Sequence, residues 1–178
     1  MAERAGGSTP STFRDPWVLR GQVRDVLSFY HPESVDHRHG GLIAARDERD
    51  GHVYDPRTRH LVASARFVHN FAAGVLVGGP DWCRSVAEHG LRFLETAHWD
   101  ADRRGYDWLL EGRETVDATR YCYGHAFVLL AAARALQAGV PGARRALDRA
   151  NRVLAERFRD DRGLYAAEAT PEWRLDDY

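Results

Sequence analysis

Hydrophobic and polar positions divide the chain into five helical segments separated by polar connections. Residues 61–77 and 121–138 are apolar around almost their whole circumference, which is typical of helices buried on all sides. Residues 80–98 and 143–158 instead carry one apolar stripe at helical spacing, so each has one face in water. The pattern predicts helices in the order outer, inner, outer, inner, outer.

Capping residues and polar runs set the expected limits of the elements. Asp15 and Pro16 are typical of a helix start, and we predict a first helix from there to about Tyr30. The polar run 31–59 suits a β-hairpin or an ordered loop, and Asp117 is the expected cap of the fourth helix. Residues 1–13 are expected to form a disordered tail, ahead of a domain spanning residues 14–178.

The inner-outer pattern repeats along the chain. The segment HNF at 69–71 precedes HAF at 125–127 by 56 positions, and segment 98–106 resembles segment 157–165 at an offset of 58 when their glycines are aligned. Residues 37–42, HRHGGL, are a weaker first copy of that connection. The predicted unit is therefore an inner helix, an outer helix and a glycine-containing connection of roughly sixty residues.

Two concentric layers of helices with long connections at one end indicate an all-α fold, a partial α/α toroid with β-hairpin-like connections. Inner-helix ends and loops of such a ring line a central pit, where a ligand binds. A closed ring needs several units, whereas this chain has two complete helix pairs. We therefore expect the chain to be a truncated part of a larger domain, with a third inner helix beginning beyond Tyr178.

Composition excludes several classes of protein. Hydrophobic residues make up 44% and charged residues 29%, with a mean hydropathy of -0.51, so the chain is a soluble globular one. A net charge of -1 and a pI of about 6.8 argue against nucleic acid as a partner. All 25 basic residues are arginine, which excludes a Schiff-base lysine. The N-terminus lacks an apolar secretory core, so we expect a cytoplasmic protein with no membrane span.

Cysteines and histidines give little sign of a metal or redox centre. Cys83 and Cys122 are far apart and flanked by apolar residues, which is typical of buried, inert thiols. His37 and His39 lie in a histidine-rich loop that lacks a cysteine or an ordered carboxylate pattern, a weak metal signal. We therefore predict neither a metal nor a cofactor.

Three segments together resemble a known family. They are RHLVASARFVHNFAAG (59–74), RGYDWLLEGRETVDATRYCYGHAFVLLAAA (104–133) and RDDRGLYAAEATPEW (159–173). They resemble the N-acylglucosamine 2-epimerase superfamily, and within it the mannose isomerase-like branch. The resemblance implies an (α/α)6 barrel and metal-independent isomerisation or epimerisation of a sugar at carbon 2.

The resemblance also implies roles for individual residues. Arg66 matches a family arginine that contacts the sugar near its reacting end, and Tyr123 matches a tyrosine that lines the pocket. The paired catalytic histidines of the family lie in later segments that this chain does not contain. Val62 stands where many relatives carry an aromatic residue, so part of the sugar-stacking surface differs here.

The residue types alone leave both binding and structural roles open. Arg66 is expected among apolar neighbours, where it either pairs with a carboxylate or contacts a ligand. Tyr123 and His125 lie near the start of an inner helix and can each bond a sugar hydroxyl or a core partner. Asn70 shares a helix face with Arg66, and Trp108 either stacks on a sugar or packs in a hairpin.

Two further hypotheses compete with an isomerase. Some α/α toroids hydrolyse glycosides with two carboxylates, for which Asp107 and Asp117 are the candidates. Alternatively, the chain is a non-catalytic repeat module that self-associates through the open edge of its toroid. The remaining tryptophans, Trp17, Trp82 and Trp99, are predicted to pack between helices.

Overall fold

A computed structural model describes residues 15–175, so the predicted tail at 1–13 lies outside the described part of the chain. All five predicted helices are present there. Their bounds are α1 Pro16–Tyr30, α2 Leu61–Leu76, α3 Trp82–Phe93, α4 Cys122–Gln137 and α5 Ala143–Arg157. A π-helical turn, Leu94–His98, extends α3 to the end that the sequence predicted.

Short antiparallel strands form the connections. They are β1 Ala45–Arg46, β2 Val53–Asp55, β3 Thr58–His60, β4 Trp99–Asp100, β5 Gly105–Tyr106, β6 Leu109–Glu111, β7 Glu114–Asp117, β8 Arg120–Tyr121 and β9 Glu168–Ala169. Strand β6 lies between β3 and β7, while β1–β2, β4–β5 and β8–β9 are two-stranded pairs. The β1–β2 pair confirms the hairpin predicted within residues 31–59.

The helices pack in two layers. Helix α2 lies against both α3 and α4, and α4 lies against α5. Small and branched apolar residues at the contacts, such as Ala65, Val68, Val128 and Ala132, are fully buried and let the helices approach closely. Helices α2 and α4 therefore form the inner layer, with α3 and α5 outside them, in the predicted order.

The repeat has a period of 61 residues in the helical layers. Helix α4 begins 61 residues after α2, at residue 122 against residue 61, and α5 begins 61 residues after α3, at residue 143 against residue 82. Gly78 and Gly139, each just past an inner helix, have positive φ angles of 76° and 69° and share that offset. The predicted offset of 56, which aligned two histidines, is wrong for the helices, although the unit of about sixty residues is confirmed.

A small hairpin-like connection follows each of α1, the extended α3 and α5. After α1 an isolated bridge joins Val35 to Leu42, and after α5 another joins Arg159 to Tyr165. After α3, β4 pairs with β5. The weak copy proposed from residues 37–42 therefore belongs to the repeat.

Several side chains that were predicted to be buried are exposed in the structure, and one predicted helix cap is wrong. Trp17 is 80% exposed instead of packed between helices, because α1 buries only Leu27. Neither inner helix is buried on all sides, since Arg66 on α2 and Leu130 on α4 are exposed. Asp117 does not cap α4: it ends β7, and the cap position of α4 is occupied by Tyr121.

Within residues 15–175, no helix is long and apolar enough to cross a membrane. Cys83 is buried and Cys122 partly buried, and both thiols are free. Burial raises the pKa of each thiol, which disfavours the reactive thiolate.

Candidate functional site

A cavity of about 480 Å³ opens where the first turns of α2 and α4 meet the end of α1 and the connections beside them. This volume suits a monosaccharide-sized ligand. Its wall combines aromatic, small apolar and polar side chains: Tyr30, Ala44, His60, Val62, Ala63, Arg66, Phe67, Asn70, Trp108 and Tyr123. We call it the α2–α4 cavity.

The β3–β6 pair fixes one side of this cavity. The residue that precedes β6 is Trp108, whose carbonyl accepts a hydrogen bond from the amide of Leu61 at 2.9 Å. The indole packs against Tyr121, with ring centroids 4.4 Å apart. Helix α4 permits this approach because Gly124 lacks a Cβ, which would lie 2.9 Å from Cζ3 of Trp108. The strand pair thus sets the indole against the start of both inner helices.

Arg66 and Tyr123 join the two inner helices across the cavity. Nη2 of Arg66 donates a hydrogen bond to the hydroxyl of Tyr123 at 3.3 Å, and the guanidinium lies 4.8 Å from the ring centre of Phe127. Arg66 is exposed, so the expected burial among apolar neighbours is wrong. In the described part of the chain, no carboxylate lies within ion-pair distance of it.

Asn70 and Trp108 also line this cavity, so the structure brings four of the five predicted site residues together. Asn70 is exposed one helical turn after Arg66. Trp108 is half-buried, and its ring both packs in the connection and faces the cavity.

His125 is the predicted site residue that the structure does not place there. Its side chain has no solvent exposure. Nδ1 donates to the carbonyl of Tyr121 at 2.8 Å, and Nε2 accepts from the amide of Tyr106 at 3.1 Å. Burial lowers the pKa of His125 to about 4, so the ring is neutral and structural.

A second buried histidine has the same tautomer. Nδ1 of His98 donates to the carbonyl of Asp107 at 2.8 Å, which leaves Nε2 to accept from the hydroxyl of Ser64 at 3.1 Å. Burial lowers the pKa of His98 to about 4. Because Ser64 belongs to α2, this contact ties the inner helix to the connection after α3.

Sequence reasoning missed His60, which lines the cavity from the end of β3. Its Nδ1 accepts the amide hydrogen of Val62 at 3.2 Å and so caps α2. Burial, and then the positive charge of Arg66, lower the pKa of this half-buried ring. Histidine is unusual where Ser, Thr, Asp or Asn normally caps a helix, so the sequence carried no signal for this role.

The two carboxylates proposed for glycoside hydrolysis do not line the cavity. Asp107 is buried, and its side chain accepts hydrogen bonds from Arg120 and from Thr115. Asp117 accepts from the amide of Thr119 at 2.8 Å. Asp107 and Asp117 therefore stabilise the connections, and the hydrolase hypothesis loses its acid and base.

The histidine-rich loop is held by local contacts. His39 bonds the carboxylate of Asp36 at 3.1 Å, and His37 packs against the ring of His89. Among residues 15–175 no group of three or more histidine, cysteine or acidic side chains could hold a metal ion.

Known proteins of similar sequence convert sugars. The chain is 37% identical to the D-mannose isomerase of Marinomonas mediterranea over 163 aligned residues. The alignment covers 91% of this chain and 41% of that protein. Over 100 residues it is 43% identical to the D-mannose isomerase of Thermobifida fusca, covering 56% of this chain and 24% of that protein. The chain thus spans about two fifths, or less, of the length of these relatives.

Solved structures of such enzymes share the fold. A crystal structure of D-mannose isomerase matches 95% of this chain and 43% of its own length, with a TM-score of 0.86 and 36% identity. The cellobiose 2-epimerase of Spirochaeta thermophila matches 93% of this chain and 43% of its own length, with a TM-score of 0.72 and 26% identity.

These matches confirm the partial (α/α)6 toroid and place the α2–α4 cavity in the fold of sugar-converting enzymes. The model of the N-acylglucosamine 2-epimerase family matches residues 43–178, which include both inner helices and most of the cavity wall. The chain therefore belongs to the N-acylglucosamine 2-epimerase family.

Proposed function

We propose that this chain forms part of the substrate wall of a sugar isomerase or epimerase that acts at carbon 2 of an aldose. The observation that carries the proposal is Arg66, an exposed cation on the cavity side of α2 with no carboxylate partner in the described residues. A guanidinium that no carboxylate neutralises remains available to an anionic or strongly polar ligand.

The proposed role of Arg66 follows from the charge that the reaction develops. Removal of the proton at carbon 2 of an open-chain aldose places negative charge on the neighbouring carbonyl oxygen, giving an enediolate. A fixed cation beside that oxygen stabilises the charge as it forms. Return of the proton to carbon 1, with transfer of the carbon 2 hydroxyl proton to the oxygen on carbon 1, gives a ketose, whereas its return to the opposite face of carbon 2 gives the epimer.

Other cavity residues suit the binding of a neutral sugar. Because the hydroxyl of Tyr123 accepts from Arg66, its own proton remains available to a sugar oxygen. Asn70 offers both a donor and an acceptor, and the indole of Trp108 presents an apolar face to the ring carbons of a sugar.

Among residues 15–175, no Asp or Glu lines the cavity, and the one histidine that does, His60, uses Nδ1 to cap α2. The described residues therefore offer no free base for the proton at carbon 2. We propose that the proton-transfer groups belong to parts of the enzyme that correspond to the remaining length of the relatives. The 178-residue chain should then bind an aldose weakly without converting it.

Saturation-transfer NMR tests the binding step with mannose, fructose and N-acetylmannosamine as separate probes. We expect transfer from the chain to at least one of them, and we expect Arg66→Ala to abolish it. Arg24→Ala, which removes an exposed arginine of α1, is the matched control and should retain the signal. Absence of transfer for all three sugars, or equal transfer in the Arg66 variant, would refute the proposed site.

Turnover is followed in the same samples by proton NMR over hours. We expect no conversion of mannose to fructose and no exchange of the proton at carbon 2 with solvent deuterium. Either event, in the chain alone, would show that the base lies within these residues.

One observation favours a second candidate function, self-association through an apolar face of α1. Leu19, Val23 and Val26 lie along one stripe of this helix and are 42%, 39% and 56% exposed. They border a shallow groove that Asn70 and Ala73 of α2 complete. A second copy of the chain would bury this stripe, and light scattering behind size-exclusion chromatography measures that association.

A further inference from the structure

His60 has a contact on each side that fixes its ring. The imidazole packs against Trp108, with ring centroids 4.2 Å apart and planes inclined at 68°. On the other side, Nδ1 accepts the amide hydrogen of Val62. A ring held at both places cannot turn freely, so its second nitrogen keeps a fixed position in a residue that lines the α2–α4 cavity.

These contacts determine the tautomer of His60. Since Nδ1 accepts a hydrogen bond, the proton of the neutral ring resides on Nε2. In the described chain Nε2 has no hydrogen-bond partner, although the ring lines the cavity. His98 and His125 have the opposite tautomer, with Nδ1 protonated and bonded to a carbonyl.

We propose that His60 is a sugar-binding residue, whose Nε2–H donates a hydrogen bond to an oxygen of the aldose, and that it is not the base of the reaction. This inference rests on the proposed function of the α2–α4 cavity, because it assigns a substrate contact within that site.

The geometry argues against a role in proton transfer. As a base, His60 would need a lone pair on Nε2, and that requires a proton on Nδ1, where the amide of Val62 already donates. Protonation of both ring nitrogens would also remove the acceptor that caps α2. It would place a positive charge near that of Arg66, which lowers the pKa of His60. A donor with a fixed tautomer instead suits an acceptor oxygen of a ligand.

Long-range proton–nitrogen NMR of the histidine-labelled chain at pH about 7.5 tests this directly, since the two nitrogens of a neutral imidazole have distinct shifts in each tautomer. We expect His60 to show protonated Nε2, and His98 and His125 to show protonated Nδ1 in the same spectrum. Adding mannose should shift Nε2 of His60 and leave both buried rings unchanged. A protonated Nδ1 in His60 would overturn the inference.

The sugar titration separates failure of this inference from failure of the proposed function. If mannose receives saturation transfer that depends on Arg66, yet the nitrogens of His60 do not move, the site stands and the role of His60 is wrong. If no sugar binds, the proposed function fails and the role of His60 fails with it.

His60→Asn provides a second test, because asparagine also caps helices and should preserve α2. We expect mannose affinity to fall about fivefold, the usual effect of losing one neutral hydrogen bond, with little change in the thermal midpoint. His52→Asn, at an exposed position just before β2, is the control and should leave affinity unchanged. Unchanged affinity in a folded His60→Asn variant would contradict the proposal, and the wild-type spectra decide the matter if that variant does not fold.

Discussion

Arg120 donates to the carboxylate of Asp100 at 3.0 Å from a position with no solvent exposure, and so ties the start of α4 to the connection that follows α3. Arg59 stands in the same place before α2 and donates to Asp36 at 2.5 Å. Both carboxylates also accept the amides of the residues two and three positions later. One buried arginine therefore anchors each inner helix, through Asp36 before α2 and through Asp100 and Asp107 before α4.

Removal of Arg120 should strongly destabilise the fold, because it leaves the carboxylates of Asp100 and Asp107 without their buried partner. We expect Arg120→Met to lower the free energy of unfolding by about 3–5 kcal/mol. Arg103 also pairs with Asp100, but its side chain is 51% exposed, so Arg103→Met should cost less than about 1 kcal/mol. Urea denaturation of both variants gives the comparison, and equal losses would contradict the anchoring role.

The helices were predictable because their apolar periodicity directly reflects burial, and Asp15 caps α1 as predicted, but the caps of the two inner helices were not predictable. Asp is a residue type that often caps helices, but Asp117 is the last residue of β7. Arg120, which pairs with Asp100, follows it, and α4 begins only after this residue. The cap of α2 is made by His60, which no capping preference predicts. Tertiary contacts decide these helix starts, and a local pattern does not contain them.

The site was predictable only in part. Arg66 and Asn70 are one turn apart on a helix, so their common face followed from spacing alone. His125 lies two residues after Tyr123, and that separation turns it from the cavity to the amide of Tyr106. Which of these residues faced the cavity depended on the pairing of β3 with β6, a contact between residues about fifty positions apart.

Gly124 should be intolerant of a side chain, since an added Cβ would lie 2.9 Å from Leu61 and from Trp108. We expect Gly124→Ala to reduce the free energy of unfolding by about 1–2 kcal/mol despite the helical preference of alanine. The near-ultraviolet circular dichroism should change as Trp108 moves.

Gly21 offers the matched control, because it lies inside α1 and an added Cβ there would meet nothing within 4 Å. Gly21→Ala should raise the free energy of unfolding by about 0.5–1 kcal/mol. If both alanine variants are stabilised, Trp108 does not pack against Gly124 as closely as the structure shows.

The apolar stripe of α1 predicts association that depends on concentration. Val26→Asp places a charge in the stripe and should shift the chain toward monomer in light scattering. Ser28 is exposed on the opposite side of this helix, two residues later at 100° per residue, so Ser28→Asp should leave the equilibrium unchanged. A wild-type chain that stays monomeric at all concentrations would contradict the second candidate function.

Stability should fall as the pH decreases from about 6.5 to about 4, because two buried histidines resist protonation. The pKa of His98 and that of His125 are each about 4 in the folded chain, mainly because burial disfavours the charged ring, against about 6.5 in the unfolded chain. Between these values the unfolded state binds more protons, so low pH favours unfolding. The carboxyls of Asp36 and Asp100 have pKa values below 3.8, so they titrate below this window.

Each of the two histidines should contribute a loss of about 2 kcal/mol between pH about 7.5 and pH about 5, as follows from the two pKa values. Urea denaturation at a series of pH values measures the slope. His98→Gln, whose amide can still donate to a carbonyl and accept from Ser64, should remove the contribution of His98, about 2 kcal/mol. His52→Asn should leave the slope intact, since that ring is exposed. A flat profile in the wild-type chain would show that these rings are protonated in the folded state, which their hydrogen bonds to Ser64 and to the amide of Tyr106 do not allow.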